Sequence, residues 1–336
     1  MTKGHFPEYH KTLLDPATFP AARKRIKFAQ TPLSYLYRTG EFLYKIRKNN
    51  PIYSSLAVKE AYTHAALTLG RRWAPEIYHE VVPIVRRGEG FALGGPGEPV
   101  DYALKLTQLS DHYWLDYLLA HGKFNTTAAA RVGRYLAGRH ADLALPDTAE
   151  PGRPGRFPAL VEEVTYQVKK YVNVTLTQPM LDMITRPLER ALEEARRLFA
   201  RRQKRGRIVE GHGEFTPEHI YVRGKEVLAI SPLDTQHKFR VLDAANDVAA
   251  LEMELRRWGA EECAERFVQR YISVSHDREL TAVLPAYRTF QALRSGLKLS
   301  EGIVEGSATS EAGAEARERA HAYFNLAVQL AREIPR

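Results

Sequence analysis

Strands come first in this chain and helices after, and the change falls at Ser110-Asp111. A chain segregated in this way folds as α+β, with a small antiparallel sheet and a larger helical part. Segments 33–38 and 41–47 flank Thr39-Gly40, a tight-turn pair that predicts a hairpin, and Asn49-Asn50-Pro51 ends it. A helix is expected over 56–72, where Ala57, Ala61, Ala65 and Leu69 recur every fourth residue. Two more strands are expected over 76–85 and 102–109. The Gly-rich turns Arg86-Arg87-Gly88-Glu89-Gly90 and Gly94-Gly95-Pro96-Gly97 lie between them. Residues 1–109 thus hold the sheet and one helix, and residues 110–336 the helical part.

In the helical part, Asp111 is placed to cap a helix running to His121, and Asn125 to cap one through Val132, Leu136 and His140. Leu188, Leu192, Ala195 and Phe199 form one apolar stripe, and Val248, Leu251, Leu255 and Trp258 form another. Helices are expected over 279–298 and 314–334, and loops over 151–155 and 301–313. Only 208–243 breaks the helical run. It holds His212-Gly213-Glu214-Phe215-Thr216-Pro217-Glu218-His219, a strand over 219–222, a turn at Gly224 and a strand over 227–230.

The chain has 336 residues, of which 44% are hydrophobic and 26% charged, an ordinary globular mixture with enough length for a sizeable core. The single cysteine, Cys263, excludes an internal disulfide and a cysteine-based zinc site, and its acidic neighbours favour an inert, covered thiol. The net charge of +9 favours anionic ligands. Its densest source is Arg196-Arg197 followed by Arg201-Arg202-Gln203-Lys204-Arg205-Gly206-Arg207. That run reads as the solvated end of a helix. As a nucleic-acid patch it lacks interleaved aromatics. The first twenty residues have no signal-peptide pattern and no apolar run reaches the length of a membrane span, so a cytoplasmic protein is expected.

Several stretches, taken in order, resemble the bacterial aminoglycoside-phosphotransferase-like kinases, in the branch often joined to a gluconate-kinase-like ATPase. They are Leu14-Asp15-Pro16, Thr31-Pro32-Leu33-Ser34, Thr39-Gly40-Glu41-Phe42-Leu43-Tyr44-Lys45-Ile46, Arg71-Arg72-Trp73-Ala74-Pro75-Glu76-Ile77-Tyr78, Val81-Val82-Pro83-Ile84, Gly206-Arg207-Ile208-Val209-Glu210-Gly211-His212-Gly213 and Phe239-Arg240-Val241-Leu242-Asp243. The resemblance spans 14–298. It implies a bilobal protein-kinase-like fold forming one kinase-like unit, with an N-lobe over 1–109 and a C-lobe over 110–336. It places the catalytic-type loop in 210–247 and implies ATP and Mg2+ as cofactors.

In such kinases catalysis is mostly positioning and charge stabilisation. The resemblance puts Lys45 on the nucleotide phosphates, with Glu60 as the nearest helix carboxylate to fix it. His212 and Gly213 shape the loop. Glu214 stands where the family has its Asp base, and the extra methylene moves the carboxylate by about 1 Å, a shift that can cost on the order of a hundredfold. Ser231 stands where the family has a magnesium-binding Asp, and a neutral hydroxyl is a poor ligand for a hard cation. Asp234 and His219 are the remaining candidates for the metal. Asp243 and Asp247 are expected to brace the loop and cap the next helix.

The loss of carboxylates at 214 and 231 points to a pseudokinase that binds a nucleotide or small polar ligand in the interlobe cleft, or serves as a scaffold for a protein partner. The alternative is an active, divergent phosphotransferase acting on the alcohol group of a small metabolite. Its base is then Glu214, and its metal ligands Asp234 and His219. Tyr287, Arg288, Arg294 and Lys298 either line the acceptor pocket or form the surface of an amphipathic helix.

Overall fold

The computed structural model describes residues 6–19, 25–146, 155–303 and 311–335. Two compact units appear: Met1–His112 with Leu228–Thr235, and Tyr113–Val227 with Gln236–Arg336. The segment 228–235 therefore packs with the first unit. The loop expected at 151–155, except Gly155, and most of that expected at 301–313 lie outside the described residues.

The first unit contains β1 (Lys27–Gln30), β2 (Ser34–Arg38), β3 (Phe42–Arg47), α1 (Leu56–Trp73), β4 (Tyr78–Arg87), β5 (Gly90–Leu93) and β6 (Glu98–Thr107). The strands form one antiparallel sheet in the order β1-β2-β3-β6-β4-β5. The two outermost strands, β1 and β5, are four residues each and escaped the sequence reading, because neither is buried enough to need an alternating pattern. Strand β3 alternates faces. Tyr44 and Ile46 enter an apolar cluster with Tyr9, Leu13, Tyr37 and Ile84, which leaves Lys45 and Arg47 on the opposite face.

Helix α1 begins where Ser55 accepts a hydrogen bond from the Val58 amide, as an N-cap should. The alanines that recur every fourth residue along the helix do not form its buried face: Ala57, Ala61 and Ala65 are exposed. The buried face carries Lys59, Thr63, Leu67 and Gly70, at helical spacing. Alanine gains little from burial, so larger groups decide which face packs. At Gly70 any Cβ would lie 2.2 Å from the Tyr78 ring, so only glycine fits. Lys59 is 6% exposed. Its Nζ donates to Asp101 Oδ2 at 2.6 Å, and the Tyr9 hydroxyl donates to the same oxygen at 2.7 Å. A buried ammonium without such partners would be strongly destabilising.

The second unit contains α2 (Leu115–Ala120), α3 (Thr126–Asp142), α4 (Arg156–Lys169), α5 (Gln178–Glu194), α6 (Arg196–Lys204), β7 (Ile208–Glu210), β8 (Ile220–Arg223), β9 (Glu226–Ala229), α7 (His237–Arg240), β10 (Val241–Asp243), α8 (Ala245–Arg257), α9 (Glu261–Ser275), α10 (Leu280–Glu301) and α11 (Glu311–Arg332). The boundary between the units falls inside β9. Asn125 caps α3, its side chain accepting from the Ala128 amide at 2.9 Å. Asp111 does not cap α2, which starts at Leu115; its carboxylate binds Arg38 instead. The stripe from Leu188 to Phe199 is divided between α5 and α6 at Ala195. Every residue of α8 from Ala245 to Leu255 is buried.

The basic run does not behave as a solvated helix end throughout. Arg202 is fully buried and grips two carboxylates: Asp243 at 2.6 and 2.7 Å, and Asp277 at 2.8 Å twice. Arg201 and Arg205 both pair with Glu279. Cys263 is buried, and burial with the charge of Glu262 pushes its thiol pKa up, in keeping with an inert thiol. Among the described residues, no helix is long and apolar enough to cross a membrane.

Candidate functional site

In the second unit, β7 and β10 pair antiparallel, with Glu210 opposite Val241 and Ile208 opposite Asp243. This short ladder brings the start of the His212-Gly213 loop beside the start of α8. Asp247, on the first turn of α8, exploits the proximity. Its carboxylate accepts from the His212 amide at 2.6 Å and the Gly213 amide at 2.8 Å. His140 Nε2 lies 3.2 Å from the same carboxylate, and its Nδ1 lies 2.8 Å from the Tyr271 hydroxyl. Burial opposes the charge of Asp247, but the His140 hydrogen bond and charge, with those of His212, hold its pKa below the ordinary range. At Gly211 a Cβ would meet the Asp247 carboxylate at 2.5 Å, so glycine permits the approach. Asp243 accepts from the Ala245 amide at 2.8 Å, beside the start of α8, whose N-cap position is Ala244 with no side-chain cap, and it binds Arg202.

The loop then passes Glu214, whose surroundings are basic. Lys298 Nζ donates to Glu214 Oε1 at 2.8 Å, and Arg294 Nη2 lies 3.9 Å from the same oxygen. Arg294 also donates to the Gly213 carbonyl at 2.8 Å. These two cations sit four residues apart on α10 and therefore share a face. Burial alone would raise the Glu214 pKa, but Lys298 foremost, with His219 and Arg294, takes it down to about 2. His219 Nδ1 donates to the Glu214 carbonyl at 2.9 Å, so this ring is engaged within the loop. Pro217 occupies the first position of a short 3-10 turn over Pro217–His219, where its fixed φ is an asset.

A pH dependence follows from Glu214. Its folded pKa is depressed, so the pair with Lys298 stabilises the fold above the ordinary carboxylate pKa of about 4.5 and is lost as pH falls toward about 2. Lys298→Met is expected to remove much of the stability that wild type loses across that window. Urea unfolding of both proteins at stepped pH measures it, and parallel curves would refute the pairing.

Other residues of α10 divide. Tyr287 stacks on Phe157 with ring centroids 3.9 Å apart, and Arg288 pairs with Glu252 and Glu333. Arg294 and Lys298 instead reach the loop.

In the first unit, Lys45 Nζ lies 3.4 Å from Ser231 Oγ. Arg47 is bound by Asp234 and also donates to the Tyr53 hydroxyl and, at 3.3 Å, to the Tyr62 carbonyl. Ser231 takes up a left-handed φ of 57°. Its amide donates to the Tyr78 hydroxyl at 2.7 Å. Glu60 accepts a hydrogen bond from Tyr102. Arg47 and Tyr78 are absent from the sequence-derived candidates. Strand alternation offered one signal, since Arg47 lies two residues after Lys45.

Magnesium at a phosphate site is held through one or two protein carboxylates, with waters and phosphate oxygens completing its shell. Here Ser231 offers a neutral hydroxyl beside an ammonium, and Asp234 is already neutralised by Arg47. Among the described residues, no three His, Cys, Asp or Glu side chains gather where they could hold a metal. The side chains of this segment do not fit a magnesium ion.

Comparison with solved structures places this architecture among kinase-like folds. A choline/ethanolamine kinase family protein from Mesorhizobium loti aligns over 96% of this chain and 98% of its own, with a TM-score of 0.55 and 13% identity. An ADP-bound aminoglycoside phosphotransferase, APH(2'')-Ib, aligns over 97% and 99%, with a TM-score of 0.52 and 11% identity. A microcompartment-associated aminopropanol kinase aligns over 96% of both chains, with a TM-score of 0.50 and 14% identity. The chain therefore has the protein-kinase-like fold of the aminoglycoside phosphotransferase and choline kinase group, and at these identities the likeness defines fold alone. Uncharacterised proteins of Mycobacterium bovis and Mycobacterium tuberculosis are 28% identical over 115 residues, 33% of this chain and 23% of theirs. No family model matches the sequence.

Proposed function

We propose that this is a kinase-fold protein with impaired phosphoryl transfer, acting as a ligand-binding or scaffolding module. The reading is carried by Glu214. A general base works best with a pKa near the operating pH, and a positioned base contributes roughly 10²–10⁴-fold. A carboxylate held at about 2 by Lys298, His219 and Arg294 has little tendency to take a proton from a hydroxyl. The nucleotide is the favoured ligand, because one fold neighbour is ADP-bound. The rival reading is ATP-dependent transfer to a small hydroxylated metabolite. It draws support from the loop bracing by Asp247, which is intact.

Turnover separates the two. Purified protein with radiolabelled ATP and magnesium is expected to form no ADP above a heat-denatured control, alone or with a panel of hydroxylated metabolites. Magnesium- and metabolite-dependent ADP formation that disappears in Glu214→Gln would establish the rival reading and end this one.

A further inference from the structure

The β3 face that carries Lys45 and Arg47 supports a second step, which rests on the reading above. We propose that the first unit binds a polyphosphate, as borne by a nucleoside di- or triphosphate, directly on Lys45 and Ser231 without a divalent cation, the Arg47 guanidinium serving as a built-in cation at Asp234.

Three observations carry the idea. The first is register. Lys45 and Arg47 are two residues apart on one strand, so they lie on one face roughly 6–7 Å apart, while Tyr44 and Ile46 occupy the apolar side. Both cations are met by one short segment: Ser231 faces Lys45, and Asp234 binds Arg47.

The second is fixation. Arg47 is 8% exposed and is held by Asp234, the Tyr53 hydroxyl and the Tyr62 carbonyl, with its guanidinium carbon 4.7 Å from the Tyr53 ring centroid. Ser231 is held by its amide on Tyr78, and Tyr78 occupies space that only a glycine at position 70 leaves open. Neither end of the arrangement needs a metal to order it.

The third is charge. Arg47 and Asp234 offset one another, and Ser231 brings no charge to the Lys45 ammonium 3.4 Å away. A carboxylate at position 231 would add a negative charge beside that ammonium and call for an added cation beside a phosphate chain. With serine there, the ammonium and hydroxyl are both donors to phosphate oxygen.

The test is calorimetric titration of the full chain with ATP, once in EDTA and once in magnesium, with inorganic tripolyphosphate as competitor. Affinity in EDTA is expected to be within about threefold of that in magnesium, and tripolyphosphate should displace ATP. Lys45→Met should weaken binding by at least about tenfold. Asp234→Asn keeps an oxygen for Arg47 but removes a repelling charge, so it should tighten binding in EDTA by about three- to tenfold. Binding that requires magnesium, or that Asp234→Asn abolishes, overturns the proposal. Absence of ATP binding in both buffers overturns it too, yet leaves the impaired-transfer reading standing. Magnesium-dependent turnover sinks that reading whichever way the titrations fall. The comparison of buffers uses wild-type protein, so it stands even where a variant misfolds.

Discussion

Asp247→Ala is expected to lower the free energy of unfolding by about 3–5 kcal/mol, the range for breaking a buried charged interaction by removing one partner. The residue is 2% exposed. Its loss orphans the His212 and Gly213 amides and leaves His140 without its carboxylate. Each buried donor left without an acceptor costs about 1–3 kcal/mol, and the contributions overlap because the groups share one carboxylate. Asp247→Asn should recover only part. One amide oxygen can still accept, but its NH2 group is a donor and cannot receive the second backbone N–H. Urea unfolding measures the loss. Hydrogen exchange should show faster exchange at the His212 and Gly213 amides in Asp247→Ala. A cost below about 1 kcal/mol would mean the loop is held by something else.

Arg202→Met is expected to have an effect of similar size, about 3–5 kcal/mol, for the opposite reason. The methionine fills much of the space, but two buried carboxylates, Asp243 and Asp277, lose their shared guanidinium. Arg202→Lys should restore little, because an ammonium cannot make the four directed bonds that the planar group makes to two carboxylates. Adding Asp277→Asn to Arg202→Met should recover a measurable part of the loss by removing one uncompensated charge. Equal stability of the single and double variants would refute the charge argument. The comparison also bears on the basic run: an Arg202 that mattered only on the surface would tolerate methionine within about 0.5 kcal/mol.

Much of the architecture was legible because its signals are local. Thr39-Gly40 marked the hairpin of β2 and β3, and Asn125 marked the start of α3. The His212-Gly213 loop stood out because it interrupts helices. What stayed hidden was set by contacts distant in sequence. The buried face of α1 follows Lys59 and its partner Asp101, 42 residues away, rather than the alanine periodicity. Arg202 looked like one more cation in a run, since nothing near it in sequence announces Asp243 or Asp277. The same holds for the site. The positions of Glu214, Ser231 and Asp234 could be read from the sequence, but not that Lys298, Lys45 and Arg47 would be their partners.

The pair between Lys59 and Asp101 has a consequence for how the first unit moves. A buried ion pair adds little net stability, because desolvation offsets most of the attraction. Its effect is on which arrangements are permitted. Sliding α1 along the sheet by one turn, about 5.4 Å, would carry the ammonium away from Asp101 and Tyr9 and strand a charge in the interior. The helix is thus confined to one register by a lock made from the unit's own residues, and its position does not wait for a ligand to arrive.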